Sequence, residues 1–254
     1  MASPADDGRR PSRTVVITQS NYLPWRGYFD LIRRADEVIL LDSVQYTRRD
    51  WRNRNKIKTA AGPVWLTVPV EVKGNYHQAI DETRVADRRW SAAHRRAIEL
   101  AYGRAPHFAE GYPWLEGLLA GLAEEPLLSR INEALLRALC ARLRIATPIR
   151  RCTDVLEREA LIRTDATGRL VDLATAVGAT RYLSGSAAQG YLDVSAFTRR
   201  GIEVEWMSYE GYPDYPQLWG AFEPAVSVID LLLNTGPDAP AYLGRPVVTV
   251  QGGR

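Results

Sequence analysis

The segment from Thr14 to Asn55 restricts the fold more than any other part of the chain. Thr14-Val-Val-Ile-Thr18 and Glu37-Val-Ile-Leu-Leu41 are short, nearly continuous apolar runs, the pattern of strands covered on both faces. Between them lie a polar loop, Gln19–Pro24, and a helix over about 26–36. There Tyr28, Leu31, Ile32 and Ala35 repeat at i, i+3, i+4 and i+7. Pro24 falls at the helix start, where its missing N–H costs little. Strand, helix and strand within roughly 30 residues define a right-handed parallel βαβ unit.

The rest of the chain continues this alternation. Asn55–Thr59 and Val64–Val70, joined through Ala60-Ala-Gly-Pro63, predict a β-hairpin. Residues 71–89 are polar and irregular. A helix is expected over 90–102, with Trp90, Ala93, Ala97 and Ala101 along one side, and further helices over 108–122 and 127–143. A short strand at 149–152 precedes a helix at 168–178 that ends on the C′ glycine Gly178. Then follow a strand at 181–184, a short turn at Phe197, a strand at 202–207, a Tyr- and Pro-rich loop at 209–224 and a last apolar helix at 226–234. The expected fold is α/β: a doubly wound, mostly parallel sheet with an inserted β-hairpin and helical cap over 60–125. The 254 residues suit one such domain over 13–236, between a disordered tail at 1–12 and a C-terminal tail at 237–254.

Charge narrows the function classes. The net charge is +3, from 30 arginines and only three lysines, Lys56, Lys58 and Lys73. Arginine pairs are scattered along the chain rather than gathered, so a nucleic-acid partner is not expected. The exception is 48–58, where Arg48, Arg49, Arg52, Arg54, Lys56 and Lys58 alternate with Trp51, Asn53 and Asn55. No apolar run approaches the ~20 residues of a membrane span, and the first residues carry no apolar signal core. The expected compartment is the cytoplasm. Cys140 and Cys152 have neither metal nor redox spacing, and no metal site is expected.

In an open parallel sheet, ligands bind beyond the carboxyl ends of the strands, at the switch point. Three segments are expected to converge there: Gln19–Gly27, Asp42–Asn55 and Ser184–Tyr191. Gln19 and Asn21 offer amide donors and acceptors, and Tyr22 and Trp25 offer stacking faces. Asp42 follows the second strand, where a general base or hydroxyl acceptor is useful; an N-cap or an arginine ion pair is the plainer role. Alternation in Trp51-Arg-Asn-Arg-Asn55 would place Trp51, Asn53 and Asn55 on one face and Arg52 and Arg54 on the other. A solvated edge strand explains the same pattern. His94 lies one turn from Trp90 on a helix and is a candidate for proton transfer, against the plain alternative of a packed structural histidine. His77 and His107 have no such setting. Ser184-Gly185-Ser-Ala-Ala-Gln-Gly is a small-residue loop after a strand, without P-loop or nucleophile-elbow spacing.

Several of these motifs together resemble the WbqC-like protein family: Gln19-Ser-Asn-Tyr-Leu-Pro-Trp-Arg-Gly-Tyr-Phe-Asp-Leu-Ile, Asp42-x-x-Gln-Tyr46, Trp51-Arg-Asn-Arg-Asn, Trp90-x-x-x-His94, Tyr182-Leu-Ser-Gly, Tyr191-Leu-Asp and Ser227-x-x-Asp230-Leu-Leu. The likeness runs from about Val15 to Gly236. It implies a component of O-antigen, capsule or specialised-metabolite biosynthesis that attaches acyl or aminoacyl groups to amines. More distantly, the opening unit is similar to pantothenate synthetases and related nucleotidyl transferases. Those enzymes hold ATP phosphates with a His-x-Gly-His pair at the helix start. Here that stretch, Pro24 to Tyr28, has no histidine, and Arg26 or the 48–58 cluster would have to replace it.

Three functions stay open on this basis. The first is an acyl- or aminoacyl-transferase joining a carrier-protein thioester to an amine such as an amino sugar. His94 or Asp42 would take the proton, Gln19 or Asn53 would support the oxyanion, and Arg52, Arg54 and Lys56 would hold a phosphate. It needs no cofactor beyond a phosphopantetheine-bound substrate. The second is an ATP-dependent ligase or nucleotidyl transferase. The third is a non-catalytic module that binds a sugar or an acyl carrier. The candidate site residues are His94 and Asp42 for catalysis. For substrate binding they are Gln19, Asn21, Tyr22, Tyr46, Trp51, Arg52, Asn53, Arg54, Asn55, Lys56, Ser184, Gly185 and Tyr191.

Overall fold

The computed structural model describes residues 12–244. The tail expected at the N-terminus lies, but for its last residue, outside the described residues, and so does 245–254. The opening unit forms as expected: β1 (Thr14–Thr18), α1 (Arg26–Arg33) and β2 (Glu37–Leu40). β1 and β2 are parallel, with Val15 opposite Glu37 and Thr18 opposite Leu40. Helix α1 stops three residues short of its expected end, because Asp36 already donates its N–H to the Thr14 carbonyl.

The hairpin follows as β3 (Arg54–Thr59) and β4 (Gly62–Thr67), antiparallel. Three helices come next: α2 (Trp90–Tyr102), α3 (Phe108–Gly121) and α4 (Leu128–Arg142). In α2 the buried stripe runs through Trp90, Ser91, His94, Ile98, Ala101 and Tyr102. Ala93, expected on that side, is exposed. The large side chains Trp90 and Ile98, rather than the alanines, decide which way the helix rolls.

β5 (Ile149–Arg151), α5 (Arg158–Arg163), α6 (Ala166–Ala176), β6 (Arg181–Gly185), α7 (Val194–Thr198), β7 (Glu203–Met207) and α8 (Val228–Thr235) complete the chain. Helix α5 is too short for the sequence pattern to show. Gly178, with φ of 69°, follows α6 as expected. Residues 237–244, expected as a loose tail, form a 3-10 segment over Gly236–Tyr242 that buries Ala239 and Leu243.

Five strands make one all-parallel sheet in the order β5-β2-β1-β6-β7. Counted within the sheet this is 3-2-1-4-5, the order of doubly wound nucleotide-binding folds. The period-two pattern of the strands divides the core. Val16, Val38 and Leu40 face α1, α4 and α8, whose Phe29, Ile32, Leu135, Leu136 and Leu231 are buried with them. Val15, Ile17, Ile39 and Leu41 face the other way, onto Leu170, Leu173 and Phe197. Trp90, Ile98, Leu115 and Leu119 belong to the first of these cores, so the hairpin and helical insertion over 60–125 packs into the same core as the sheet.

Candidate functional site

The strand order reverses between the parallel neighbours β1 and β6, and a ligand cleft is expected at their carboxyl ends. A cleft of about 550 Å³ lies there, within the usual size of small-molecule sites. Each of the three expected segments contributes to it: Gln19 and Asn21 from the first, Gln45, Trp51 and Arg52 from the second, Ser184, Gly185 and Tyr191 from the third. Helix α6 adds Arg169, Tyr28, Tyr182 and Tyr209 add rings, and aliphatic side chains including Leu31 and Leu41 fill out the wall.

The chemistry of this wall is one-sided. It carries two guanidinium groups, three side-chain amides and several hydroxyls, and no carboxylate. Arg52 is oriented by Asn21, whose Oδ1 accepts from it, and by Asp50 at 3.7 Å. Arg169 donates to the carbonyls of Leu161 and Thr164. Such a wall favours an anionic, hydrogen-bonding ligand.

Asp42 stands beside the cleft, in a smaller polar pocket of about 180 Å³ with Asp81, Glu133, Arg151 and Arg158. Its Oδ1 accepts from the Ser20 N–H at 2.8 Å. Burial pushes its carboxyl up to about 6, against the opposing pull of that hydrogen bond and of Arg52. Asn132, which carries no signal in the sequence, pins this corner: its Nδ2 donates to Ser20 Oγ at 3.2 Å and to the Arg52 carbonyl at 2.8 Å.

An apolar trough of about 300 Å³ adjoins the cleft on the hairpin side, with Asn21 and Trp51 shared between the two. Pro24, Trp25 and Asn55 form part of its wall, and Pro224 and Ala225 come from the long loop before α8. That loop is anchored beneath. Lys58 Nζ donates to Gln217 Oε1 at 2.7 Å and to the Ala221 carbonyl, and Asp230 accepts from Tyr102, Tyr215 and Gln217.

The sequence pattern that defines the WbqC-like protein family matches residues 19–242. The chain belongs to that family. It is also 49% identical, over 232 residues, to an uncharacterized protein of Mycobacterium tuberculosis, covering 91% of this chain and 97% of that one. No solved structure matches. Among the described residues, no helix of this WbqC-like protein is long and apolar enough to cross a membrane.

The remaining candidate residues are placed elsewhere. His94 lines neither the cleft nor the two depressions beside it. Its Nδ1 pairs with the Tyr22 hydroxyl at 2.7 Å, and its Nε2 lies 3.2 Å from the Thr67 carbonyl. Burial lowers its pKa to about 4, so the ring is neutral at physiological pH and both nitrogens are engaged. Tyr22 is fully buried as its partner. Asn55 Nδ2 clamps the carbonyls of Tyr22 and Leu23 at 3.2 and 2.9 Å, and Asn53 Nδ2 bonds the Val68 carbonyl at 2.8 Å. Both asparagines therefore hold backbone, though Asn55 still borders the trough. Tyr46 is buried, its hydroxyl pushed up to about 12 by desolvation.

The alternation expected for 51–55 holds only from Asn53 onward. Trp51 precedes β3 and turns to the opposite side, 5.4 Å from Trp65, the ring over which Arg54 and Lys56 also lie. Arg26 does not replace the missing histidines. It is buried, donates to the carbonyls of Pro213 and Tyr242, and lies 5.2–5.4 Å from the rings of Tyr212, Tyr215 and Phe222.

Arg169, Tyr28, Gln45 and Tyr209 are among the cleft residues that sequence reasoning did not single out. Tyr28 and Gln45 had a signal, since each sits inside one of the family-like motifs. Arg169 is one of many helical arginines and had none.

Proposed function

We propose that this WbqC-like protein is an acyl- or aminoacyl-transferase that joins an activated acyl group, carried as a thioester on a phosphate-bearing arm, to an amine such as an amino sugar. The observation that carries this is the cleft between β1 and β6, whose wall holds Arg52 and Arg169 and no carboxylate. A phosphate entering it meets hydrogen-bond donors and positive charge rather than repulsion.

The step is a plain acyl substitution. The neutral amine nitrogen bonds to the thioester carbonyl carbon, the C–S bond breaks, and the one surplus amine proton passes through a base to the departing thiolate, which leaves as the thiol. Asp42 is the group assigned to take that proton, being a carboxylate held at the carboxyl end of β2 beside the cleft and ionised above pH about 6. The amides of Gln19, Asn21 and Gln45 supply donors for the transient oxyanion. His94 is assigned to holding Tyr22, not to proton transfer.

The test is incubation of acyl-loaded carriers and candidate amines with the protein, followed by mass spectrometry for the amide. Amide formation that falls at least 30-fold in Arg52→Ala supports the assignment, and no amide with any donor and amine sinks it. A nucleotide-dependent ligase is the second reading, favoured by the 3-2-1-4-5 strand order. Pyrophosphate release that needs both ATP and a carboxylic acid would select it instead.

A further inference from the structure

We infer that the apolar trough beside the cleft is the subsite for the acyl group of the donor, and that it selects an apolar chain or ring of about ten heavy atoms. The inference rests on the transfer reading of the cleft and adds the class of group transferred.

The contrast between the two spaces comes first. The cleft wall mixes amides, hydroxyls and two guanidiniums with aliphatic side chains such as Leu31 and Leu41, whereas Pro24, Trp25, Pro224 and Ala225 dominate the trough and no charged side chain among the described residues lines it. The polar groups at its border are already committed: Asn55 to three backbone partners, and the Asn21 oxygen to Arg52. What the trough offers a ligand is apolar surface. Its volume of about 300 Å³, at roughly 30 Å³ per water-sized group, holds about ten heavy atoms.

Continuity points to the same ligand. Asn21 and Trp51 line both spaces, so a molecule whose phosphate lies against Arg52 passes them to reach the trough. Trp51 leaves 42% of its surface exposed at this junction, a large apolar face that a bound chain would cover.

The trough wall is also built in advance. The Trp25 indole lies directly over Gly27, where any Cβ would collide with it. Its other side meets Tyr209 at 5.0 Å and Tyr212 at 6.4 Å. Leu23 adopts φ of 43°, a conformation L-residues seldom take, and Asn55 holds its carbonyl in that turn. Strain of this kind gathers at ligand clamps because the surroundings must impose it.

The experiment is calorimetric titration of the full chain with the S-acetyl, S-butyryl, S-octanoyl and S-hexadecanoyl thioesters of pantetheine 4′-phosphate. It is repeated with Ala225→Trp, which fills the trough from an exposed position. Affinity should rise about fourfold per methylene as far as octanoyl and then level off. Ala225→Trp should flatten the series while leaving acetyl affinity within twofold. A series indifferent to chain length, or one that Ala225→Trp leaves intact, overturns the subsite. Sodium octanoate alone separates the two claims by saturation-transfer NMR. If it binds the wild type but not Ala225→Trp while no phosphopantetheine thioester binds, the trough stands and the transfer reading of the cleft falls. If octanoate does not bind and the thioester series is flat, the trough falls alone.

Discussion

At the residue scale, Tyr22 and His94 satisfy each other inside the protein, and that pairing explains two motif positions without invoking catalysis. His94→Gln should lower stability by about 1–3 kcal/mol, the cost of leaving a buried hydroxyl without its partner. Turnover per folded molecule should stay within threefold. Thermal melts beside amide-forming rates decide this, and a hundredfold loss of turnover at unchanged stability would return His94 to catalysis. The burial shifts of His94 and Asp42 oppose each other with pH. A histidine whose pKa falls to about 4 contributes stability that is complete above its unfolded value of about 6.5 and lost as pH drops towards 4. A carboxyl raised to about 6 contributes stability that is complete below its unfolded value of about 3.9 and lost as pH rises through 6. Each is worth about 3 kcal/mol, so between pH 6.5 and 4 they largely cancel. Asp42→Asn removes one arm, and its stability should therefore fall more steeply than that of the wild type as pH drops through this window. Urea midpoints at several pH values measure the difference, and parallel curves would contradict the assigned burial of Asp42.

At the element scale, the loop from Gln19 to Trp25 is shaped by contacts that only the folded chain brings together. Asn55 holds its turn, Gly27 gives its tryptophan room, and Ser227 and Val228 bond backbone to backbone with Lys56 and Pro24. Gly27→Ala should displace the Trp25 indole at a cost of about 1–3 kcal/mol, seen as a changed near-ultraviolet circular dichroism spectrum. An unaltered spectrum would show that the ring does not lie over the helix start. The buried ammonium of Lys58 anchors the long loop before α8. Lys58→Met leaves Asp230 without its compensating charge and should cost about 3–5 kcal/mol, a melting temperature roughly 10 °C lower. A shift under 2 °C would mean that the loop does not depend on it. These elements also show which local signals sufficed. The apolar runs of β1 and β2 and the motif in α1 each carry their own periodicity, so they are legible in isolation. Helix α5 and the packed segment 236–244 owe their form to partners distant in the chain, and no local pattern announces them. The side on which Trp51 lies likewise follows from where β3 begins, which the repeating Arg-Asn alternation obscures.

At the scale of the whole molecule, the sheet order turns local signals into a site. A parallel sheet with β1 at its centre brings residues 19–21, 45–52 and 184–191 to one edge, a convergence that follows from the strand pattern of the sequence alone. The location was therefore readable from the sequence. The division of labour was not. Of the asparagines and arginines in 52–56, only Arg52 faces the cleft, because strand alternation and the hairpin sequester the others. Arg169 joins from a helix more than a hundred residues away. In the proposed function these two guanidiniums grip an anion at the switch point. Calorimetric titration of acetyl-pantetheine 4′-phosphate into the wild type, Arg52→Ala and Arg169→Ala measures that directly. Binding to the wild type that weakens at least tenfold in each variant is the predicted result, whereas equal affinity in all three proteins would contradict it.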